Sequence, residues 1–152
     1  MFANLALSVA MTVVVVLVHL TGLLLLLHFL RSNAYRVAGK DGTLLRQGTV
    51  ILGVTLGIFV LHGIEIWLYA LAYLAIGVFK DFSTALYFST SSFSTLGYGD
   101  VVLGPDWRIF GAIEAVTGLI LIGWSSAFLL SVTSRLRVLE HDWESRGARK
   151  RK

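Results

Sequence analysis

Residues 95–100 of the chain are Thr-Leu-Gly-Tyr-Gly-Asp, a short stretch with glycine at alternating positions. A backbone that alternates between left- and right-handed conformations can aim successive carbonyl oxygens at one axis, where they replace the water shell of a cation. L-residues resist the positive φ angles that this requires, whereas glycine adopts them readily. Gly97 and Gly99 fit this alternation, and the Thr95 hydroxyl can add an oxygen at the inner end. The stretch therefore predicts a row of backbone cation ligands.

The preceding segment, residues 83–94, is STALYFSTSSFS and predicts a short helix of about three turns. A helix that ends just before Thr95 would direct the negative end of its dipole toward a cation. The segment also supplies hydroxyl groups behind the stretch and aromatic bulk around it. The hydroxyl residues are Ser89, Thr90, Ser91, Ser92 and Ser94, and the aromatic residues are Tyr87, Phe88 and Phe93.

The composition indicates a membrane protein. Of the 152 residues, 56% are hydrophobic and only 14% are charged, which is more apolar surface than a soluble domain of this size could bury. Three apolar blocks reach the roughly 20 residues that a transmembrane helix needs. They lie at about Leu5–Leu30, Thr49–Phe79 and Trp107–Thr133. The absence of cysteine excludes disulfides, thiolate metal sites and cysteine nucleophiles. We therefore predict an all-α membrane protein with three transmembrane helices and a re-entrant helix and loop between the second and third.

The order of span, short helix, Thr-Leu-Gly-Tyr-Gly-Asp and span resembles the pore module of potassium channels, from roughly Leu52 to Arg135. The common signature of that family is Thr-Val-Gly-Tyr-Gly-Asp, and Leu96 takes the place of the valine. Leucine occurs at this position in related channels, so the resemblance implies that potassium selectivity is kept. One loop supplies one carbonyl per layer, which cannot encircle an ion, and the filters that this chain resembles use four loops. The resemblance thus implies a homotetramer that conducts K⁺ passively.

The resemblance also implies roles for single residues. The K⁺ ligands would be the carbonyls of Thr95, Leu96, Gly97 and Tyr98, together with the Thr95 hydroxyl. Gly99 would form the outer mouth of the selectivity filter. Asp100 would brace the filter from behind, bonded by Tyr87, which stands where simple bacterial channels have a tryptophan. Gly118 aligns with the gating hinge of the inner helix. No cofactor is implied, since K⁺ is the permeant ion. The expected partners are K⁺, the lipid bilayer and further copies of the chain, without nucleic acid.

The distribution of Lys and Arg predicts the orientation. Basic residues concentrate after the first block and in the tail, whereas the segment between the second and third blocks has only Lys80 and Arg108. The positive-inside bias then places the N-terminus outside the plasma membrane and the C-terminus in the cytoplasm. The predicted organisation is an N-terminal transmembrane helix at 1–31, a cytoplasmic connection at 32–48, a pore domain at 49–134 and a basic cytoplasmic tail at 135–152. The tail suits contact with anionic lipids as well as a topology signal.

Several ionisable residues lie within the predicted spans. Glu114 could face a water-filled cavity or pack behind the short helix, bonded to its serines, and we favour the second placement. His62 and Glu65 are three residues apart and share a helix face, which suits a hydrogen bond between helices better than a metal site or a proton sensor. His19 and His28 on the first span are interpreted as lone structural or interfacial histidines.

Three other functions remain as alternatives. A non-selective cation channel of the same architecture is disfavoured by Tyr98, because weakly selective relatives usually change that position. A subunit of a potassium transporter is disfavoured because such proteins normally carry four pore loops in one chain. A scaffold or metal-dependent enzyme built around His62 and Glu65 lacks a third ligand and a recognisable nucleophile. We therefore expect no enzyme activity.

Overall fold

A computed structural model describes residues 2–37 and 44–135 of the chain. It contains helices α1 (Phe2–Val37), α2 (Leu44–Ala75), α3 (Phe82–Phe93) and α4 (Arg108–Arg135). The regular structure of the described residues is entirely helical, which confirms the predicted all-α class. Helices α1, α2 and α4 contain stretches long and apolar enough to cross a membrane, at Asn4–Ser32, Gln47–Ala75 and Arg108–Ser134. The prediction of three helices of membrane-spanning length is therefore confirmed.

The first and second helices extend further into the polar connection than predicted. The sequence placed a connection at 32–48, but α1 continues to Val37 and α2 already begins at Leu44. Polar residues at the end of an apolar helix leave its backbone hydrogen bonds intact. Only glycine and proline strongly disfavour a helix. The glycines of the connection, Gly39 and Gly42, lie outside the described residues, as does the tail from 136 to 152.

The end of α2 is set by Gly77 rather than by Phe79, where the sequence analysis placed it. Gly77 has a φ angle of +74°, in the left-handed region that glycine adopts without strain. The Val78 N–H donates to the Tyr73 carbonyl at 3.0 Å, and the Gly77 N–H donates to the Leu74 carbonyl at 3.0 Å. This pair of bonds closes the helix in a Schellman motif. The chain leaves α2 there and turns toward α3.

Helix α3 begins and ends within one residue of the predicted bounds, Ser83–Ser94. Its N-cap is Asp81, whose carboxylate accepts a 2.8 Å hydrogen bond from the Thr84 N–H. A bonded carboxylate satisfies an amide that the first helical turn leaves unpaired. The bond also lowers the pKa of Asp81 below its ordinary value, because the amide stabilises the charged form.

Helix α3 packs between α2 and α4, while α1 packs against the same two helices. Aromatic rings fill the space beside α3. The Tyr73 ring on α2 meets the edges of Phe88 on α3 and Phe110 on α4, with ring centroids 5.2 Å apart in both pairs. Edge-to-face contacts of this kind are favourable and fix the relative positions of the rings. The short helix is therefore held by both α2 and α4.

Candidate functional site

The backbone after α3 alternates between opposite hands. Thr95, Gly97 and Gly99 have φ angles of 59°, 56° and 77°, whereas Leu96 and Tyr98 between them are not in the positive-φ region. The alternation expected from the glycine spacing is therefore present in the structure. The positive φ angle at Thr95 begins the alternation before the first glycine. The glycine pattern did not indicate this, because threonine disfavours a positive φ angle.

The amide groups of the loop point back toward α3. The N–H groups of Leu96 and Gly97 both donate to the Ser91 carbonyl, at 3.0 and 3.1 Å. The Tyr98 N–H lies 3.4 Å from the Ser91 Oγ. In a trans peptide unit, the carbonyl of one residue points opposite to the N–H of the next. The carbonyl oxygens of the three residues before these amides, 95 to 97, therefore point away from α3.

Sequence reasoning listed Ser91 among the hydroxyls behind the loop but missed its main contact. Its backbone carbonyl, rather than its side chain, accepts the two shorter bonds. This carbonyl is available because it lies in the last turn of α3, where carbonyls have no helical partner. A signal for this in the sequence is the position of Ser91 close to the end of the predicted helix.

The contact expected between Tyr87 and Asp100 is present. The Tyr87 hydroxyl donates to Asp100 Oδ2 at 2.7 Å, and the Val101 N–H donates to Asp100 Oδ1 at 3.0 Å. The bond from the Tyr87 hydroxyl lowers the pKa of Asp100, because it stabilises the carboxylate. The same bond raises the pKa of Tyr87, since the neutral phenol is the donor. The two residues join α3 to the far end of the loop.

Glu114 of α4 lies fully buried behind α3, as the favoured placement predicted. Its Oε1 accepts a hydrogen bond from Ser89 of α3 and its Oε2 accepts one from Tyr73 of α2, both at 2.5 Å. The Ser89 hydroxyl also lies 3.0 Å from the Ile66 carbonyl. The carboxyl group thus links α2, α3 and α4. The part that Tyr73 takes could not be predicted, because a tyrosine in an apolar span is equally typical of a packed core or an interface.

Gly118 of α4 lies against the last residue of α3. A Cβ atom at Gly118 would lie 2.8 Å from the Phe93 carbonyl carbon and would overlap its oxygen. Helix α4 runs without interruption through this position. Gly118 therefore marks the place where α4 closely crosses the end of α3.

The predicted hydrogen bond between helices is present, because Glu65 of α2 bonds to His19 of α1, and Glu65 also bonds to His62 on its own helix. The Nδ1 atoms of His62 and His19 lie 2.7 Å from Glu65 Oε2 and Oε1 respectively. The interpretation of His19 as a lone histidine was therefore wrong. It failed because α1 is apolar on every side, so its sequence does not indicate which face meets α2. His28, further along α1, is exposed.

Three helices of spanning length, with a short helix and a carbonyl-directing loop between the second and third, define a multi-span membrane protein. Residues 58–135, just over half of the chain, match the family described as "Ion channel". The chain therefore belongs to this ion-channel family. The matched range begins within α2 and ends with α4, so it includes α3 and the loop. No curated protein and no solved structure matches the chain.

Proposed function

We propose that the chain is a subunit of a potassium-selective channel that conducts K⁺ passively through a homotetrameric pore. The observation that carries this proposal is the direction of the loop carbonyls. Their amide partners bond to α3, so the oxygens of residues 95 to 97 face the opposite side. Rings of such oxygens replace the hydration shell of K⁺. The ion ligands are the carbonyls of Thr95, Leu96, Gly97 and Tyr98, with the Thr95 hydroxyl at the inner end.

Other residues of the loop support the filter. Gly99 forms its outer mouth, and the φ angle of 77° at this residue suits glycine alone. Asp100 braces the filter through Tyr87, a contact that ties the outer end of the loop to the pore helix α3. Glu114 holds the opposite face of α3 against α2 and α4. Gly118 serves as the gating hinge at the position where α4 crosses the end of α3.

A four-fold assembly is supported by the exposure of the loop in a single chain. Residues 94–100 are all exposed, and Leu96 and Tyr98 expose 56% and 67% of their surface. Contiguous exposed apolar residues are typical of surfaces that another chain covers. One chain offers one carbonyl per layer, so four chains related by rotation close the ring.

A re-entrant course of α3 is supported by its contact with the middle of α4. Gly118, which touches the end of α3, lies ten residues after Arg108, or about 15 Å along the helix. That distance is about half of the hydrocarbon thickness of a bilayer. The C-terminal end of α3 therefore reaches the membrane interior, where its dipole favours a cation.

The channel lies in the plasma membrane with the N-terminus outside. Lys and Arg are concentrated at residues 31–46, around the end of α1 and the start of α2, and in the tail, so both regions lie in the cytoplasm. In this arrangement α2, α3 and α4 form the pore domain, and the basic tail contacts anionic lipids. A reporter fused to the C-terminus is expected to resist external protease in intact cells; cleavage there would reverse the orientation.

The decisive experiment measures ion flux from purified protein in liposomes. We expect K⁺ flux that greatly exceeds Na⁺ flux and that Ba²⁺ blocks. Gly97→Ala is expected to abolish the flux while membrane insertion persists, because alanine resists the φ angle of 56° at this position. The matched control is Gly53→Ala in α2, where an added Cβ meets nothing within 4 Å.

Two outcomes would contradict the proposal in different ways. Equal permeability to Na⁺ and K⁺ would reject potassium selectivity in favour of a non-selective cation channel. Wild-type K⁺ flux in the Gly97→Ala variant would show that the loop is not the filter.

A further inference from the structure

Helices α1 and α2 bring three metal-ligating side chains together at one point. His19 comes from α1, and His62 and Glu65 come from α2. One ligand atom from each residue lies within 4.8 Å of the other two. His19 and Glu65 are fully buried, whereas the His62 side chain is 17% exposed. We propose that these three residues bind a divalent transition-metal ion, for which Zn²⁺ is the natural probe.

The ligand set fits this class of metal. Two imidazoles and one carboxylate form one of the sets that bind Zn²⁺ with a fourth position left for water. Imidazole nitrogen favours transition metals over Mg²⁺ and Ca²⁺, which prefer oxygen ligands. His62 has a partly exposed edge, so the described residues of a single chain leave one side of the cluster uncovered.

Metal binding requires adjustments of up to about 1.5 Å. Each Nδ1 lies 2.7 Å from a carboxylate oxygen, a hydrogen-bond distance. Ligands at about 2.0–2.1 Å from a tetrahedral Zn²⁺ lie roughly 3.3 Å apart. The two 2.7 Å contacts must therefore open by about 0.6 Å, and a separation close to the 4.8 Å limit must shorten by about 1.5 Å. The His19 Nε2 has no hydrogen-bond partner among the described residues. The contact with Glu65 therefore sets the orientation of the His19 ring. No second hydrogen bond from the described residues opposes a rotation of that ring toward a metal ion.

Charge favours occupancy as well. As metal ligands the two histidines are neutral and the glutamate is charged, so the ligand set contributes one negative charge. A divalent cation compensates that charge, which would be costly to leave uncompensated inside a membrane. The bound metal would tie α1 to α2 beside the end of α3, because the His62 ring lies 5.8 Å from the Phe93 ring.

The test uses the full-length protein in detergent, stripped of metal with a chelator and titrated with Zn²⁺ against a fluorescent competitor. We expect one Zn²⁺ per chain, a rise in melting temperature on binding, and the intense visible absorption of a tetrahedral site when Co²⁺ is the probe. His19→Asn and His62→Asn should each weaken Zn²⁺ binding by about 100-fold or more.

Asparagine separates the metal site from a purely hydrogen-bonded cluster. Its amide N–H occupies nearly the place of the histidine Nδ1–H, so it preserves the bond to Glu65 but is a poor Zn²⁺ ligand. The control combines His28→Asn on the exposed face of α1 with His141→Asn in the tail, and should bind Zn²⁺ like the wild type.

The outcomes do not depend on ion conduction. Absence of Zn²⁺ binding by the wild type would overturn the proposal and leave a hydrogen-bonded cluster. Binding that survives in the double variant His19→Asn/His62→Asn, or that disappears in the His28/His141 control, would place the metal elsewhere. If an asparagine variant fails to fold, full binding in the control together with the tetrahedral Co²⁺ spectrum supports the cluster, and loss of either rejects it.

Discussion

At the scale of single residues, Thr95 holds a backbone conformation that disfavours a β-branched side chain. Its φ angle of 59° costs an L-residue about 1–2 kcal/mol. The cost is offset locally, because the Thr95 N–H donates to the Ser92 carbonyl at 2.9 Å and the next two amides donate to Ser91. Such strain persists only where neighbouring bonds fix the backbone. Glycine would relax the strain but would remove the hydroxyl that we propose as an ion ligand.

The Tyr87–Asp100 pair makes a prediction about pH. The pKa of Asp100 is lowered by the Tyr87 bond, so that bond contributes stability above the ordinary carboxyl pKa and is lost as the pH falls through the lowered value. We expect Tyr87→Phe to raise the pKa of Asp100 toward its ordinary value, so that acid disturbs the filter at a higher pH. The measurement is the pH at which K⁺ flux falls by half.

A rescue variant controls this experiment. Tyr87→Trp restores a donor through its indole N–H and should move the midpoint back toward the wild-type value. An unchanged midpoint in Tyr87→Phe would mean that the pair does not support the filter.

Gly118→Ala is predicted to destabilise the protein strongly. An added Cβ would overlap the backbone of Phe93, which cannot rotate away as a side-chain tip can. Overpacking of this kind costs about 1–3 kcal/mol. Thermal unfolding in detergent measures the effect, and Gly123→Ala on the same helix is the matched control, because its Cβ meets nothing within 4 Å. If Gly118→Ala unfolds like the wild type but changes the open probability, Gly118 acts as a hinge without a packing role.

At the scale of helices, short sequence patterns predicted those features that depend on residues close together in the chain. The bounds of α3 followed from its hydroxyl-rich sequence between charged residues and the 95–100 stretch. Burial of Glu114 behind α3 followed from the cost of an acid in a membrane. The partners His19 and Tyr73 could not be predicted, because they depend on how each helix is rotated about its axis. Close packing such as that of Gly22 on α1 against Leu61 on α2 sets this rotation, and a uniformly apolar sequence does not encode it visibly.

The Glu114 network gives a prediction at this scale, because it joins three helices. Glu114→Ala leaves the buried Tyr73 hydroxyl without its acceptor, removes one of the two acceptors near Ser89 and opens a cavity, so we expect a loss of about 1–3 kcal/mol in stability. Glu114→Gln should remain close to the wild type. Its amide can donate to Ser89, whose own proton then goes to the Ile66 carbonyl 3.0 Å away.

Thermal unfolding of the two variants separates the effect of charge from that of hydrogen bonding. Equal losses in Glu114→Ala and Glu114→Gln would indicate that the charge, rather than the hydrogen-bonded link, stabilises the three helices. No loss in Glu114→Ala would mean that the link is dispensable for packing α3.

At the scale of the whole molecule, the proposed channel requires more than one chain. The carbonyls of residues 95–97 point away from α3, and the loop side chains are exposed. Both features are expected where other chains surround the same axis. The number of chains is therefore the property of the proposed pore to test first.

Co-expression of wild-type and defective chains measures how many chains share one pore. Gly99→Ala is expected to insert and assemble but not to conduct, because its φ angle of 77° resists alanine. If wild-type and Gly99→Ala chains are co-expressed in equal amounts and one defective chain closes a pore, a tetramer keeps about one-sixteenth of the wild-type K⁺ flux. A dimer would keep about a quarter and independent chains about half, because fewer chains must all be intact. Co-expression with Gly53→Ala, which lies outside the loop, should leave the flux unchanged. A linear dependence of flux on the wild-type fraction would exclude a shared pore, whereas a fourth-power dependence is expected from four loops around one ion.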